Sequence, residues 1–417
     1  MIAGIILTTI YLLLLVFDFK KGVVWITMTI QFLSYLGTGV EGIKIFTVVV
    51  AVSLVLFFPN IKKLSSTPYP KLLKYSSWFF IISYIVTLIS SQWMHWPTVF
   101  SNSLTCFVYP YIFWKCLKTK RQLDLAIKIF YYMMALAVFF GLIELVTKQN
   151  FAFIAIESAF TLEDFSINSD TIRFGLKRCN SIFSYFSTYG VTSFIGFVLF
   201  YAKQRWDAEL GRNYIIIAML CVFAAFSTGS RAVFLGLFFA ITLLFVDQKF
   251  LKSKAGVFLL LMTILILPVL FVLMSQVLDS MINSDNSKYS SGSSSEMRLI
   301  QWLACENYFL DSPLVGNGRI YIWETVKPSH PELEGAESIW YSILVDYGLL
   351  GAFAFIYLIF SCSKCLWRLN KRLICLPVGY LLILSLSPDQ GIQYNLLITS
   401  TIVLLKIFEF KHNVKLS

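Results

Sequence analysis

Charge is what this 417-residue chain has least of. Only 14% of its residues are Asp, Glu, Lys or Arg, against 58% hydrophobic, and the mean hydropathy is +0.74. That balance excludes an ordinary soluble globular domain. Histidine is nearly absent, with three residues, and the eight cysteines show no secreted-disulfide spacing. Cys362 and Cys365 form a CxxC, but no second CxxC or histidine pair accompanies them to build a zinc site, so packing is their reading. Cys179 and Cys305 alone lie in polar segments, where a single disulfide is conceivable. The sequence also lacks a short internal repeat, a solenoid period and a separate soluble domain. No basic stretch precedes the first apolar run, which is therefore expected to be a retained span and not a cleavable signal.

What the chain has in abundance is uninterrupted apolar sequence. About 20 residues at 1.5 Å each cross about 30 Å of hydrocarbon. On that measure, spans are predicted near 2–17, 23–38, 43–59, 75–91, 99–116, 124–146, 181–202, 213–228, 231–247, 255–275, 338–361, 373–387 and 395–410. The expected fold is an all-α polytopic transmembrane bundle of about 12–13 spans. A β-barrel would alternate polar and apolar positions, and runs such as Val257-Phe258-Leu259-Leu260-Leu261 do not.

Lys and Arg resist translocation, so their clusters mark the cytoplasmic side. Lys20-Lys21, Lys62 to Lys74, Lys115 to Arg121, Lys203 to Arg212, Lys249 to Lys254 and Lys364 to Arg372 all fall on one side of the predicted spans. Two long polar islands, 147–180 and 276–337, then lie on the outer side. The expected organisation is N-terminal spans 1–146, a first outer loop 147–180, central spans 181–275, a large outer loop 276–337 and C-terminal spans 338–417. The larger island holds nine acids and four bases, so the net charge of +11 is mostly the topological signal. It calls for no nucleic-acid partner; the lipid bilayer is the partner it implies.

Inside the larger island, Ser290 to Ser295 reads as a flexible hinge. Glu296 to Leu310 has helical spacing and predicts an amphipathic helix on the membrane surface. Asp311-Ser312-Pro313 stops it, and Gly316-Asn317-Gly318 supplies a turn where backbone can approach closely. Three arginines stand apart from the topological clusters: Arg178 before a span, Arg231 in a turn, and Arg298 in the amphipathic helix. An arginine at a span boundary snorkels, pairs or faces a polar cavity, and several together could clamp a diphosphate.

These residues resemble the O-antigen ligase and polymerase family of integral membrane glycan-assembly proteins. The likeness rests on Arg178 with Ser181-Ile182-Phe183, on Ser230-Arg231, and on Arg298-x-x-x-Trp302 followed by Pro313-Leu314-Val315-Gly316-Asn317-Gly318. It continues in Glu337-Ser338-Ile339-Trp340-Tyr341 and Gly348-Leu349-Leu350-Gly351. It covers roughly residues 175–360. The family's ligases usually begin the polar pair with His, where this chain has Glu337, and His330 lies seven residues too early. This departure leans towards a polymerase of O-antigen, capsule or exopolysaccharide repeats.

The resemblance implies a glycan donor and acceptor, both linked to undecaprenyl diphosphate, at the outer face of a bacterial inner membrane. It leaves room for a chain-length regulator. The leaving group is good, so the protein must neutralise charge and orient the acceptor. Arg178, Arg231 and Arg298 are the expected diphosphate ligands, with Ser338, Tyr341, Trp302 and Arg319 completing the substrate-binding set. Glu337 is the candidate base; the alternative is a solvated acid favoured at a helix start. His330 and Asp346 are secondary candidates. No cofactor or metal is expected, as no Asp-x-Asp resembles that of metal-dependent nucleotide-sugar transferases. A lipid-linked oligosaccharide flippase is the rival reading, but it would distribute charge within the spans.

Overall fold

The computed structural model describes residues 2–30, 32, 45–90, 96–152, 154, 172–173, 176–183, 185–206, 213–245, 295–330, 338–387 and 393–412. They form an all-α bundle, as composition demands. In chain order the helices are α1 (Ile2–Phe17), α2 (Phe19–Thr29), α3 (Ile45–Asn60), α4 (Lys71–Ser90), and α5 (Trp96–Ser103), which runs through a π-helical turn (Leu104–Val108) into α6 (Tyr109–Cys116). Then come α7 (Lys120–Thr147), α8 (Phe186–Trp206), α9 (Asn213–Ser227), α10 (Arg231–Phe245), α11 (Ser295–Asp311), α12 (Ile339–Leu369), α13 (Cys375–Ser385) and α14 (Gln393–His412). One small antiparallel ladder, Ile172–Arg173 with Leu176–Lys177, interrupts the helices.

Every predicted span holds a helix except 255–275, which lies outside the described residues, as do residue 31 and residues 33–38 of the span predicted near 23–38. By length and composition, Lys71–Ser90, Lys120–Thr147 and Ile339–Leu369 can each cross a membrane, and Ile6–Phe17, Tyr214–Ser227 and Arg231–Phe245 are shorter apolar helices. One boundary differs clearly from expectation. The second helix starts at Phe19, not near 23, because Asp18 caps it and accepts from the Lys21 amide at 3.2 Å. Gly22 then lets α1 and α2 meet backbone to backbone: a Cβ there would stand 2.8 Å from the Leu14 carbonyl carbon.

The most deeply buried helices are α8 and α14, and they are also polar for spans: Thr192, Ser193, Asn395, Thr399 and Thr401 are all buried. Apolar surface instead faces outward, as on Val55, Phe58, Phe139 and Phe238. That inversion is what a lipid-facing bundle shows.

The basic clusters meet at one end. Lys203 of α8 reaches Asp124 of α7 at 2.8 Å, Lys115 donates to the Thr67 carbonyl at 2.9 Å, and Lys406 lies 3.9 Å over the Trp114 ring. Lys249 to Lys254 lie outside the described residues. The motif residues gather at the other end.

Candidate functional site at the motif end

Arg178 sits in a strap, Lys177 to Phe183, that one buried carboxylate holds. Glu144, near the end of α7, accepts from the amides of Asn180 at 2.9 Å and Ser181 at 2.7 Å. Ser181 adopts φ 56°, donates its hydroxyl to the Ala137 carbonyl, and its own carbonyl accepts from Asn150 at 2.9 Å. Ile182 and Phe183 are buried, with Phe183 stacked on Tyr189 at 5.6 Å. An acid late in a span therefore serves as the acceptor that organises two backbone amides of the strap in a dry region, with Lys177 Nζ 3.9 Å from its other oxygen.

So anchored, the strap lies against the turn between α9 and α10. The Cys179 amide donates to the Ser227 carbonyl at 3.1 Å, and Arg178 Nε donates to the Thr228 carbonyl at 3.3 Å. The guanidinium also lies 3.5 Å over the Phe186 ring. The turn itself follows from Gly229 at φ 59° and from Thr228 Oγ1, which accepts the Ser230 amide at 3.3 Å. Arg231 is the first residue of α10, three positions from the carbonyl that orients Arg178.

Arg298 approaches from the other side. Its Nη2 donates to the Leu386 carbonyl at 3.4 Å, just beyond the end of α13. That end is level with the start of α10, since a Cβ on Gly236 would meet Ile383 at 2.5 Å and the Gly379 carbonyl oxygen at 3.1 Å. The Arg298 carbonyl accepts from Tyr341 Oη at 2.9 Å, Trp302 faces Tyr341 at 6.4 Å, and Trp340 Nε1 donates to Ser385 at 3.0 Å. Arg178, Arg231, Arg298, Trp302 and Tyr341 thus occupy adjoining elements at one end of the bundle. Ser338 caps α12, accepting from the Trp340 amide at 3.3 Å. Glu337 lies outside the described residues.

The helix that carries Ser338 and Tyr341 is broken. Gly348 has φ 62° and ψ −161°, which opens α12 and exposes backbone groups at its break. Residues 313–318 fill them: the Leu349 amide donates to the Pro313 carbonyl at 2.8 Å and the Leu350 amide to Leu314 at 3.0 Å. In return, the amides of Asn317 and Gly318 each donate at 3.0 Å to the carbonyls of Val345 and Asp346. A Cβ on Gly348 would stand 2.6 Å from the Leu314 carbonyl carbon, so the two glycine motifs are the two halves of one backbone latch.

Arg319 and Asp346 belong to this latch. Asp346 is buried and accepts from the amides of Ile320 at 2.9 Å and Ile322 at 3.0 Å, holding Ile320 at φ 69°, a strained value for a β-branched residue. Arg319 binds two side chains from other helices. Its Nη1 donates to Tyr347 Oη at 2.9 Å, and Asn102 Oδ1, in the amide orientation that satisfies both groups, accepts from Nη1 at 2.6 Å and Nη2 at 2.7 Å. His330 packs edge-on to Tyr308 at 5.9 Å. Glu144 and Asn102 are the positioning residues that sequence reasoning did not place in the site.

The amphipathic helix α11 buries Gln301, Ala304 and Cys305, and exposes Leu299, Ile300, Leu303 and Leu310. Its apolar side thus points outward, the presentation expected of a helix resting on lipid. Burial, with the Asp346 carboxylate nearby, pushes the Cys305 thiol up to about 12. Burial and the Glu144 carboxylate push Cys179 likewise to about 12. Both are free thiols.

No curated protein matches the chain. Residues 215–356 match a family model described as O-antigen ligase, a stretch that takes in Arg231, Arg298, the latch and the head of α12 and begins after Arg178. That match, on the residues just described, supports the O-antigen ligase/polymerase family for this chain.

Proposed function

We propose that this protein is a membrane glycosyltransferase that polymerises undecaprenyl-diphosphate-linked oligosaccharide repeats at the outer face of the bacterial inner membrane. The observation that carries the reading is the gathering of Arg178, Arg231 and Arg298 on adjoining elements, two of them oriented by backbone carbonyls. Guanidinium groups take phosphate oxygens in a planar bidentate fork, which suits a site that must receive a diphosphate.

In the reaction, a hydroxyl oxygen of the acceptor repeat attacks the anomeric carbon of the donor. The bond from that carbon to the diphosphate oxygen breaks, and undecaprenyl diphosphate leaves with the electron pair. The three arginines stabilise the developing negative charge, without a metal. Glu337, which immediately precedes the buried cap Ser338, takes the acceptor proton. Trp302 and Tyr341 offer ring faces to sugars.

The family description favours a second reading, transfer of the glycan to a lipid A core acceptor by a ligase. The purified protein, given undecaprenyl-diphosphate-linked repeat alone, separates the two. A product ladder, lost in Glu337→Gln, supports the polymerase and its base. Transfer only after a lipid A core is supplied makes the protein a ligase, and transfer to neither removes the enzyme reading in favour of a transporter.

A further inference from the structure

A second charged recess lies at the basic end, far from the motif residues. It is an open cleft of about 910 Å³ between the α1–α2 corner, the end of α3 and the start of α7. Five bases line it, Lys20, Lys21, Lys63, Arg121 and Lys128, against two acids, Asp18 and Asp124. Both acids already hold a cation: Asp18 pairs with Lys21 at 3.0 Å, and Asp124 with Lys203 at 2.8 Å. The lining therefore keeps an excess of positive charge.

The remainder of the lining grades into hydrocarbon. Val16 and Phe17 border the cleft and are 70% and 84% exposed, continuing the outward apolar surface of α1 through Leu13 and Ile10. A ligand that satisfies both parts must carry an anion at one end and an apolar chain at the other. A soluble phosphate would meet the bases alone and make no use of the apolar border, and a neutral lipid would leave the bases unneutralised. We propose that this cleft binds the headgroup of an anionic phospholipid, with the phosphate among Lys20, Lys63 and Arg121 and an acyl chain against Val16 and Phe17. The site is independent of the glycan reading, and of which glycan reaction occurs.

Native mass spectrometry of the full chain in detergent tests it, with phosphatidylglycerol and phosphatidylcholine titrated separately. Wild type should retain phosphatidylglycerol about tenfold better than phosphatidylcholine, a preference that the K20Q/K63Q/R121Q variant loses. A matched K62Q/K71Q/K74Q variant, altered at the same end but outside the cleft, should keep it. Equal retention of the two lipids overturns the proposal, as does an equal loss in both variants, which would mean diffuse surface charge. Displacement by millimolar inorganic phosphate overturns the lipid source and leaves a soluble-anion site. Should the triple variant fail to fold, the single variant K63Q replaces it, since Lys63 is exposed; the expected drop is then about twofold to fivefold.

Discussion

The two ends of the bundle hold their cations in different mixtures of contacts, though Lys115 at the basic end also donates to a carbonyl. At the basic end, Lys203 and Lys406 meet carboxylates, Asp124 and Glu409, each at 2.8 Å. At the motif end, Arg178 and Arg298 donate to main-chain carbonyls, and the buried carboxylate there, Glu144, accepts two amides of the strap and lies 3.9 Å from Lys177 Nζ. The Lys203 pair joins α8 to α7, whereas the Arg178 contact joins the strap to the turn between α9 and α10. On the proposed function, Lys203 acts as a fastening and the arginines as holders.

The sharpest way to break this contrast is through the latch that shapes the motif end. Gly316 has φ 75°, and a Cβ on it would collide with the Asp346 carbonyl. Gly316→Ala should lose about 3–4 kcal/mol, read as a lower melting temperature and a smaller folded yield in detergent. A variant that melts like wild type would show that the latch does not support the end.

Next in size are the holders. Arg178→Lys and Arg231→Lys keep the charge but lose the planar fork, and each should lower polymerisation about 10²-fold with melting unchanged. Lys203→Gln, at the fastening end, should do the reverse, keeping activity and losing about 2 kcal/mol, since Lys203 is fully buried while Asp124 is a third exposed. Equal activity losses at both ends would erase the distinction.

A smaller effect decides the role of Asp346. Asp346→Ala strands the amides of Ile320 and Ile322 and should cost about 2–3 kcal/mol, while Asp346→Asn keeps an acceptor oxygen and should cost about half. A base would behave otherwise: the Asn variant would be stable and inactive. The smallest effect belongs to Cys305. Its thiol ionises near 9.0 when unfolded and about 12 when folded, so its contribution is complete below about 9 and is lost as the pH rises through about 12. Cys305→Ala should flatten that alkaline fall in stability, and the wild-type thiol should resist alkylation at pH 8 until the protein unfolds.

Span positions were legible because twenty-residue apolar runs have few other fates in a chain this poor in charge. The start of α2 was not, since the Asp18 cap acts over one turn while the reading placed Lys20 and Lys21 outside the hydrocarbon. Glycines 316, 318 and 348 could be read as places of close backbone approach, but their being partners depends on how 313–318 folds back. Arg319 was grouped with the other arginines by type and neighbourhood. Its partners, Asn102 and Tyr347, come from remote helices that no spacing rule connects. The same holds for Glu144, whose polarity was visible within an apolar run but whose partners are amides more than thirty residues later.

The latch also imposes an order on biogenesis. Thr87, in α4, donates its hydroxyl to the Val315 carbonyl at 2.7 Å across 228 residues, and the amides and carbonyls that pair residues 313–318 with 345–350 meet only once α12 has emerged. During synthesis, the early helices must wait, with one polar contact of α4 unmade, until most of the polypeptide has left the ribosome. A chain stalled before α12 therefore carries Arg178 and Arg231 without the segment that completes their surroundings.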